Sequence, residues 1–581
     1  MLMIHLRKSI FFIFIFFCPV TSLWAQKALS LDEIEEIKTT SPAVWNKTGD
    51  KLYFTSSKGL WSYEIKKGSL KELPLQNGFL SEPRISRNGQ SLGVQCGSEV
   101  CIVNLSDASI VKKVTGEIDS RWDIKPDGTD IVFAGKGYIW SRVSIKGQQA
   151  RVKKSPEMFG QNELYIDEHK VLSEEGIVWI FSPYGSPFEW SPDGKRLYFL
   201  SAKTGWTKIW SMRNDGLDIR QETFGEGDDR DFRILRNGSI IFVSNRNKRM
   251  EWSLFLKPYG KNARHLFGKD CLIRGINLSS DEKKVSFQYS TPVMPEELFI
   301  YDLYSNKALQ ITHNSPLEPK NLIFPTVVKF RSQSREIEGM LFMPESSKAP
   351  LPAVILLHGG PSMHDGLSWN SLRQYLVTRS YVVLDINYTG SAGYGKAFEE
   401  ADRFRIGIDD CDDVAHAAFY LSTLPRVDKK RIGVTGSSYG GYLTNLVIGR
   451  YPEVFAAAVD WFGITDWRSL EVPRLHPVVR YFFRDRLGDS LKHRDLYTMA
   501  SPVSYAKAIK TPIMIVHGDS DFVVPFSQSL EFLDSLKKNH KKVEFIRYSN
   551  EGHGWTRKET RLDALNKMLW WFDTYLKRKE D

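Results

Sequence analysis

The most constraining feature of this chain is the segment 436–441, Gly-Ser-Ser-Tyr-Gly-Gly, which lies between an apolar run typical of a strand and a stretch with a helical pattern. Gly436 and Gly440 flank Ser438 at a spacing of two residues. Side chains at these two positions would crowd a strained turn that raises the serine hydroxyl above the edge of a sheet. The segment therefore predicts a strand, a tight turn and a helix, with Ser438 as a nucleophile at the turn.

A candidate acid follows a second strand-like segment. Residues 512–518 read as a buried strand that ends in a turn, and Asp521 lies just beyond it. The carboxyl ends of strands are where open α/β sheets place their sites. Asp519 is the alternative, since it lies earlier in the turn and could instead hold the loop through hydrogen bonds from side chain to backbone. The spacing favours Asp521 as the acid.

His553 is the candidate base. Residues 543–548 alternate like a strand, and His553 follows them in a loop, between two glycines. The alternative is a histidine of the surface, but His553 is the one that follows Asp521 in a glycine-rich loop after a strand. The order Ser438, Asp521, His553 is that of the α/β-hydrolase fold.

A candidate oxyanion loop precedes these three residues in the chain. His358, Gly359 and Gly360 follow the strand-like residues 353–357. A loop of this kind offers backbone N–H groups to an oxyanion, together with the N–H of Tyr439 after the nucleophile. The alternative is a simple glycine turn, but its position before the nucleophile fits an oxyanion loop. We therefore predict an α/β-hydrolase catalytic domain in the C-terminal half.

The C-terminal half resembles the prolyl oligopeptidase family of serine peptidases, nearest to its acylaminoacyl-peptidase and dipeptidyl-peptidase branches. The motifs that carry the resemblance are 358–361, 387–395, 409–413, 427–434, 436–442, 463–467 and 501–502. The resemblance implies hydrolysis of short peptides through an acyl-enzyme by an exopeptidase or oligopeptidase, and the sequence itself carries no cofactor signature. It also implies a β-propeller before the hydrolase. Two alternatives remain: an esterase on small acyl esters, and a propeller binding protein with an idle hydrolase domain.

The resemblance also implies residues for substrate recognition. By position, the first pocket would be lined by Tyr439, Tyr442, Trp461, Trp467 and Val524. Ordinary core packing is an equal alternative for each of them. In related peptidases a tyrosine side chain often occupies the position of His358, so the role of that side chain stays open.

A glutamate pair precedes one of the repeats described below. In dipeptidyl peptidases a glutamate pair in that region grips the free N-terminus of the substrate, so the resemblance makes Glu174 and Glu175 candidates for this role. The alternative, which their longer spacing favours, is a solvated loop.

The N-terminal half contains a repeat of about 40 residues, in which a strand, a turn of Asp-Gly or Asn-Gly type and a second strand recur. Short strands at this spacing are typical of propeller blades, since a separate hairpin cannot bury its faces alone. Residues 156–185 fit no repeat and could be a degenerate blade or an insertion. The six clear hairpins are 42–54, 83–94, 122–133, 188–199, 232–242 and 276–287. We therefore predict an all-β propeller domain over 41–318, followed by the catalytic domain over 319–581, with residues 26–40 packing on the hydrolase.

Residues 1–25 have the pattern of an export signal. Arg7 and Lys8 precede an apolar run too short for a comfortable membrane span, and Ala25 stands before the expected cut. A retained anchor is the alternative. The pattern predicts a periplasmic or secreted protein, in which Cys96 and Cys101 could form a disulfide across a hairpin.

The charge of the chain gives little reason to expect a charged partner. The formal net charge is +10, and loss of residues 1–25 removes two positive charges and no negative one, leaving +8. The basic residues are scattered, which favours a solvated surface over nucleic-acid binding. The chain shows no metal or phosphate-binding motif, and the sequence leaves the oligomeric state open, with a dimer among the possibilities.

Overall fold

The computed structural model describes two domains and the segment that precedes them. The described residues are 28–56, 59–73, 83–86, 89–96, 99–106, 109–114, 122–124, 131–133, 140–143, 149–154, 161–166, 169–175, 188–345, 350–470 and 483–577. The predicted signal, residues 1–25, lies outside them. Within them, no helix is both long enough and apolar enough to cross a membrane.

Antiparallel sheets of four short strands build most of the first domain. In the described part of the chain they are β1–β4 (Val44–Trp45, Lys51–Ser56, Gly59–Glu64, Ser69–Leu73), β5–β8 (Arg84–Ile85, Ser91–Cys96, Glu99–Asn104, Ile110–Val114), β11–β14 (Trp140–Val143, Gln149–Lys154, Gln161–Ile166, His169–Glu175), β15–β18 (Phe188–Trp190, Arg196–Ser201, Lys208–Arg213, Arg220–Gln221), β19–β22 (Asp229–Ile234, Ile240–Ser244, Ser253–Lys257, Arg264–Phe267) and β23–β26 (Leu272–Leu278, Lys284–Thr291, Met294–Asp302, Lys307–Gln310). A two-stranded sheet, β9 (Trp122–Ile124) and β10 (Ile131–Phe133), stands between the second and third of these.

The sheets form a β-propeller, as predicted. Their first strands lie side by side in the order β1, β5, β9, β11, β15, β19 and β23, and β23 returns to β1. At this closure the indole N–H of Trp45 donates to the carbonyl of Asn277 at 3.1 Å, and the hydroxyl of Ser280 donates to the carbonyl of Asn46 at 2.7 Å. Buried side chains of β1, β2 and β25 share one apolar cluster. The first and last blades therefore bury each other's faces.

Each of the six predicted hairpins forms as a strand pair. Five of them open a regular four-stranded blade. The exception is the hairpin β9–β10, because the two strands after it, β11 and β12, form a separate sheet with β13 and β14 from the region that fitted no repeat. Tight turns join the paired strands, and Gly194 and Gly238 adopt positive φ values of 69° and 78° there.

The second domain is an α/β-hydrolase built on one eight-stranded sheet. Its order is β27-β28-β30-β29-β31-β32-β33-β34, with antiparallel pairing from β27 to β30 and parallel pairing beyond. The strands are β27 (Thr326–Ser332), β28 (Arg335–Phe342), β29 (Leu351–Leu357), β30 (Val382–Asn387), β31 (Val427–Ser437), β32 (Ala457–Trp461), β33 (Ile513–Gly518) and β34 (Val543–Tyr548).

Helices cover both faces of this sheet. They are α2 (Ser371–Val377), α3 (Lys396–Glu399), α4 (Asp409–Ser422), α5 (Tyr439–Arg450), α6 (Arg494–Ala500), α7 (Ser527–Lys538) and α8 (Lys558–Leu576), with 3₁₀ turns at Pro319–Asn321 and Pro502–Tyr505. Successive side chains of β29 point to opposite faces, so Ile355 and Leu357 join the cluster under α4 and α5. Val354 and Leu356 join the cluster under α2 and α8. Burial on both faces explains the unbroken apolar sequence of this strand.

The segment before the propeller contacts the hydrolase. The helix α1 (Leu31–Glu35) carries Glu35, whose carboxylate pairs with Arg561 of α8 at 2.7 Å. The N–H of Leu29 donates to the hydroxyl of Thr378 at 3.1 Å, and the N–H of Lys38 donates to the carbonyl of Asn314 at 2.9 Å. The segment therefore joins both domains. The proposed boundary at 318/319 lies between the last propeller strand and the first hydrolase strand.

The predicted disulfide finds no support in the strand register. Cys101 lies opposite Val94, whereas Cys96 lies opposite Glu99, so the two cysteines do not occupy facing positions. Cys101 is a buried free thiol, as are Cys271 and Cys411.

Phe572 provides a test of the hydrolase core. Its side chain is fully buried, and a methyl group added at Gly433 would lie 2.9 Å from its ring. We expect Phe572→Ala to lower the free energy of unfolding of the hydrolase domain by about 3–5 kcal/mol, because it leaves a cavity. Trp570→Ala, two residues away on the same helix, should cost about 1 kcal/mol or less, since its side chain is 54% exposed. Urea unfolding followed at the helical circular dichroism band reports the stability of this domain. An equal fall in the free energy of unfolding for the two variants would contradict the buried packing of Phe572.

Candidate active site

Ser438 stands at the turn between β31 and α5 in a strained conformation. Its φ and ψ are 57° and −116°, a region that residues other than glycine rarely adopt. A methyl group at Gly436 would lie 2.5 Å from the carbonyl carbon of Gly440, so the turn closes on itself only because Gly436 lacks a side chain. The N–H of Ser438 donates to the carbonyl of Trp461 at 2.9 Å, which ties the turn to β32. The predicted strand, turn and helix are therefore present.

Asp521 and His553 meet in the loops that follow β33 and β34. Nδ1 of His553 lies 2.7 Å from Oδ2 of Asp521, whose side chain is fully buried. The N–H groups of Val523 and Val524 donate to Oδ1 of the same carboxylate at 2.7 and 2.9 Å. Burial raises the pKa of Asp521, but hydrogen bonds from His517 and His553, the charge of His553 and the backbone donors outweigh burial and hold that pKa well below its ordinary value. Asp521 is therefore an ionised carboxylate at neutral pH.

The sheet places these three side chains at one edge. Since β31 to β34 run parallel, the residues that follow them emerge at the same end of the sheet. The end of β32 and the residue that follows it contact Ser438 and His553. Trp461 accepts the N–H of Ser438, and the ring of Phe462 packs on the ring of His553 with centroids 4.7 Å apart.

Asp519 takes the alternative role considered for it in the sequence. Oδ2 accepts two hydrogen bonds from the guanidinium of Arg547 at 2.7 and 3.0 Å, and Oδ1 accepts the N–H of Asn550 at 2.8 Å. The side chain thus holds the turn against β34. It is not the carboxylate that contacts His553.

Two further residues organise the loops and escaped the sequence analysis. His517 is fully buried, and Nε2 lies 3.3 Å from Oδ2 of Asp521. Glu551 is also fully buried, and its carboxylate accepts the N–H and hydroxyl of Thr556 and the Nε–H of Arg557 at 2.8–2.9 Å. These bonds overcome the effect of burial and lower the pKa of Glu551 to about 2. The sequence signal for both was proximity: each lies within four residues of Asp521 or His553.

The oxyanion loop lies against the nucleophile turn, with its backbone rather than the His358 side chain beside Ser438. A methyl group added at Gly359 would lie 3.5 Å from Cβ of Ser438. The imidazole of His358 instead stacks on the ring of Tyr388 at 4.3 Å, and Nε2 lies 2.9 Å from the hydroxyl of Ser391. Burial lowers the pKa of His358, which keeps the ring neutral. The N–H of Tyr439, first residue of α5, has no acceptor within the helix.

The predicted pocket residues fall into two groups. Tyr442, Trp467 and Val524 share the apolar cluster that contains Tyr439, and the rings of Tyr442 and Trp467 lie 5.1 Å apart. Trp461 belongs to the cluster on the opposite face of the sheet, where its indole N–H donates to the hydroxyl of Thr435 at 2.8 Å. The structure therefore brings Tyr442, Trp467 and Val524 together but separates Trp461 from them.

The glutamate pair lies in the strand β14, with the backbone of Glu174 opposite Asn162 and that of Glu175 opposite Gln161. Their side chains lie outside the described part of the structure. Among the residues that the structure describes, no group of histidine, cysteine, aspartate and glutamate side chains has the arrangement of a metal site.

The fold and this edge define a propeller joined to an α/β-hydrolase domain. Residues 367–579 match the model of the prolyl oligopeptidase family, Peptidase_S9. The hydrolase domain therefore belongs to the prolyl oligopeptidase family.

Two curated relatives match about half of the chain. The uncharacterized peptidase YuxL of Bacillus subtilis is 31% identical over 52% of this chain and 47% of its own length. Dipeptidyl aminopeptidase BIII of Pseudoxanthomonas mexicana is 28% identical over 48% of this chain and 42% of its own length. The chain thus spans about half the length of the curated relatives that it matches.

A solved structure matches both domains. The acylaminoacyl peptidase of Pyrococcus horikoshii covers 95% of this chain with 98% of its own, at a TM-score of 0.71 and 19% identity. At this identity the match supports the two-domain fold, including the propeller, and nothing finer.

The two carboxylates of the acid loop provide a paired test. We expect Asp521→Asn to slow covalent modification of Ser438 by a fluorophosphonate by about 10⁴-fold, as when the acid of a Ser-His-Asp triad is made neutral. Asp519→Asn should stay within about threefold of the unchanged chain, because Asp519 contacts only the turn and Arg547. Stopped-flow labelling of the two variants measures both rates. If the labelling rate falls equally in both variants, or falls only in Asp519→Asn, Asp521 is not the acid of the triad.

Proposed function

We propose that the protein is a serine peptidase that hydrolyses short peptides through an acyl-enzyme. The observation that carries the proposal is the buried, ionised carboxylate of Asp521 on Nδ1 of His553, at the sheet edge that also carries the strained Ser438. Membership of the hydrolase domain in a peptidase family supports the peptide bond as the target.

The proposed steps of acyl transfer follow from the positions of Ser438, His553 and Asp521. Oγ of Ser438 attacks the acyl carbon, and Nε2 of His553 takes the proton and then returns it to the leaving amine. Asp521 holds Nδ1–H of His553, which fixes the tautomer and stabilises the imidazolium. Water then attacks the acyl-enzyme by the same route in reverse, releasing the acid product and free Ser438.

The proposed oxyanion donors are backbone groups. They are the N–H of Tyr439 and the N–H groups of Gly359 and Gly360, with no part for the imidazole of His358, which is turned away and neutral. A single donor of this kind is typically worth about 10²–10³ in rate.

The proposed substrate class is a short peptide cleaved near its N-terminus, as in a dipeptidyl- or acylaminoacyl-type exopeptidase, or an oligopeptide. The names of the relatives favour this class. The cluster around Tyr442 and Trp467 supports the pocket for the residue before the cleaved bond. The buried Trp461 is withdrawn from this proposal because its ring lies on the other face of the sheet.

Variants of the two neighbouring serines test the nucleophile. We expect Ser438→Ala to abolish both fluorophosphonate labelling and peptide hydrolysis while its circular dichroism spectrum stays unchanged. Ser437→Ala is the matched control and should be labelled, because Ser437 ends the strand β31 rather than occupying the strained turn. Labelling that persists in Ser438→Ala and disappears in Ser437→Ala would move the nucleophile by one residue.

A substrate panel separates the function classes. It compares dipeptidyl amides with a free N-terminus, N-acetyl amino-acid amides, longer peptides and nitrophenyl esters. Amide hydrolysis with a preference among the first three supports the peptidase and identifies its type. Turnover of esters alone would instead indicate an esterase, and no turnover with no labelling would indicate an idle hydrolase domain.

We also propose that the protein is exported and that its mature chain begins near Gln26. The proposal rests on Arg7 and Lys8 before the short apolar run and on the small Ala25 at the expected cut. We expect mass spectrometry of protein from the periplasm or medium to find this N-terminus, and Ala25→Tyr to impair the cut. A chain that starts at Met1 in the membrane fraction would contradict the proposal and indicate a retained anchor.

A further inference from the structure

The two walls of the proposed oxyanion site are joined by buried aromatic side chains. One wall is the loop of His358 and Gly359, and the other is the first turn of α5, which begins at Tyr439. Tyr388, which follows β30, lies between them. Its ring is 4.3 Å from the imidazole of His358 and 6.1 Å from the ring of Tyr439, and both pairs are stacked within 24° of parallel.

Hydrogen bonds fix both ends of this stack. At one end the hydroxyl of Tyr388 donates to the carbonyl of His358 at 2.7 Å. At the other end the hydroxyl of Tyr439 donates to Oδ2 of Asp410 at 2.6 Å. Oδ1 of Asp410 accepts the N–H of Cys411 at 2.9 Å, which holds the carboxyl group at the start of α4. All of these side chains are buried, with His358 the most exposed at 8%.

The bond to the His358 carbonyl has a consequence for Gly359. The carbonyl of His358 and the N–H of Gly359 belong to one planar trans peptide group, in which C=O and N–H point in opposite directions. A hydroxyl that holds the carbonyl on one side therefore also fixes the direction of the N–H on the other. Gly359 has no side chain that could hold the loop in its place.

The bond to Asp410 acts in the same way on the second donor. The N–H of Tyr439 belongs to the first residue of α5, where the backbone changes from the strained turn to the helix. The Tyr439 ring packs between Tyr388 and Phe483, and its hydroxyl is held by Asp410. The backbone of this residue is thereby tied to α4 as well as to its own helix.

We propose that Tyr388 and Asp410 are positioning residues that keep the two oxyanion donors at a fixed separation: Tyr388 through the His358–Gly359 peptide, and Asp410 through the side chain of Tyr439. The inference rests on the proposed acyl transfer at Ser438. It adds two residues that touch neither the substrate nor the reacting atoms. Their loss should weaken binding of the transition state while binding of the ground state stays the same.

The chain contains a matched control at the other end of α5. The hydroxyl of Tyr451, next to the last residue of α5, donates to Oδ1 of Asp412 in α4 at 2.6 Å. This bond has the same chemistry and length as that between Tyr439 and Asp410, and it also joins α5 to α4. Tyr451→Phe therefore reports the cost of losing such a bond away from the nucleophile turn.

The experiment compares Tyr388→Phe, Tyr439→Phe and Tyr451→Phe, with rates expressed per site titrated by a fluorophosphonate so that misfolded protein does not count. We expect Tyr388→Phe and Tyr439→Phe to lower kcat by about 10–100-fold, with KM changed by about twofold or less. Tyr451→Phe should retain the kcat of the unchanged chain within about twofold.

Inhibitors separate positioning from loss of substrate binding. A peptide aldehyde forms a hemiacetal with the serine that occupies the oxyanion site, whereas the acid product of the same sequence does not. For Tyr388→Phe and Tyr439→Phe, the aldehyde inhibition constant should rise by the same factor as kcat/KM falls, and the product constant should stay unchanged.

Two results would overturn the inference while the proposed function stands. In one, Tyr388→Phe and Tyr439→Phe match Tyr451→Phe in kcat and in aldehyde binding. In the other, KM and the product constant rise together and kcat is unchanged, which would make these residues part of the substrate pocket. A wild-type chain that no fluorophosphonate labels would instead refute the proposed function, and the inference with it.

Discussion

Direct backbone contact between the nucleophile turn and the end of β29 is the constraint on which the site depends. A side chain at Gly440 would overlap the carbonyl oxygens of Leu357 and His358, and one at Gly436 would overlap Gly440 itself. With glycine at both positions the backbone of the turn contacts the neighbouring strand directly, and Ser438 adopts a φ of 57°. Such a conformation costs about 1–3 kcal/mol and persists only where its surroundings fix it. Here the buried strand before the turn and the buried first turns of α5 fix it from both sides.

Two buried carboxyl groups at the same sheet edge have pKa values shifted in opposite directions by their surroundings. Asp460 and Asp521 are both fully buried. Asp460 has the side chain of Asn445 and the N–H of Gly463 as donors, and burial prevails and raises its pKa to about 7. Asp521 has two backbone donors and, in addition, hydrogen bonds from His517 and His553 and the charge of His553, and its pKa falls instead. The larger set of hydrogen bonds, together with the histidine charge, therefore keeps Asp521 ionised, as a carboxylate that can stabilise an imidazolium.

The sequence was most informative where local chemistry is specific. Glycines, turn residues or strand ends mark three such features within a few residues of sequence. They are the strained turn at Ser438, the position of Asp521 rather than Asp519, and the six propeller hairpins. The pairing of β12 with β13, and of β13 with β14, is not marked in this way, since the strands β13 and β14 carry no repeat of the hairpin pattern. Trp461 was grouped with Tyr442 and Trp467 from the resemblance alone, whereas in the structure its ring packs in the cluster on the other face of the sheet. His517 and Glu551 escaped because their roles depend on contacts within the folded loops, with Asp521 in one case and with Thr556 and Arg557 in the other.

The loop that begins at His358 also contacts the propeller. Six residues after His358, the imidazole of His364 accepts the indole N–H of Trp252 at 3.2 Å, and the carbonyl of Met250 accepts the N–H of Leu367 at 2.8 Å. Burial lowers the pKa of His364 to about 3, so the ring is neutral and can serve as an acceptor.

The short segment 358–367 thus carries proposed oxyanion donors at one end and contacts with Trp252 and Met250 of the propeller at the other. A chain in which the propeller bound elsewhere on the hydrolase would leave this loop without Trp252 and Met250, and the buried polar groups of the loop would lose their partners. The stack of Tyr388 on His358 fixes the loop from the side of the hydrolase, and the propeller fixes it from the other. The loop beside Ser438 is consequently held by both domains, although every proposed catalytic group belongs to one.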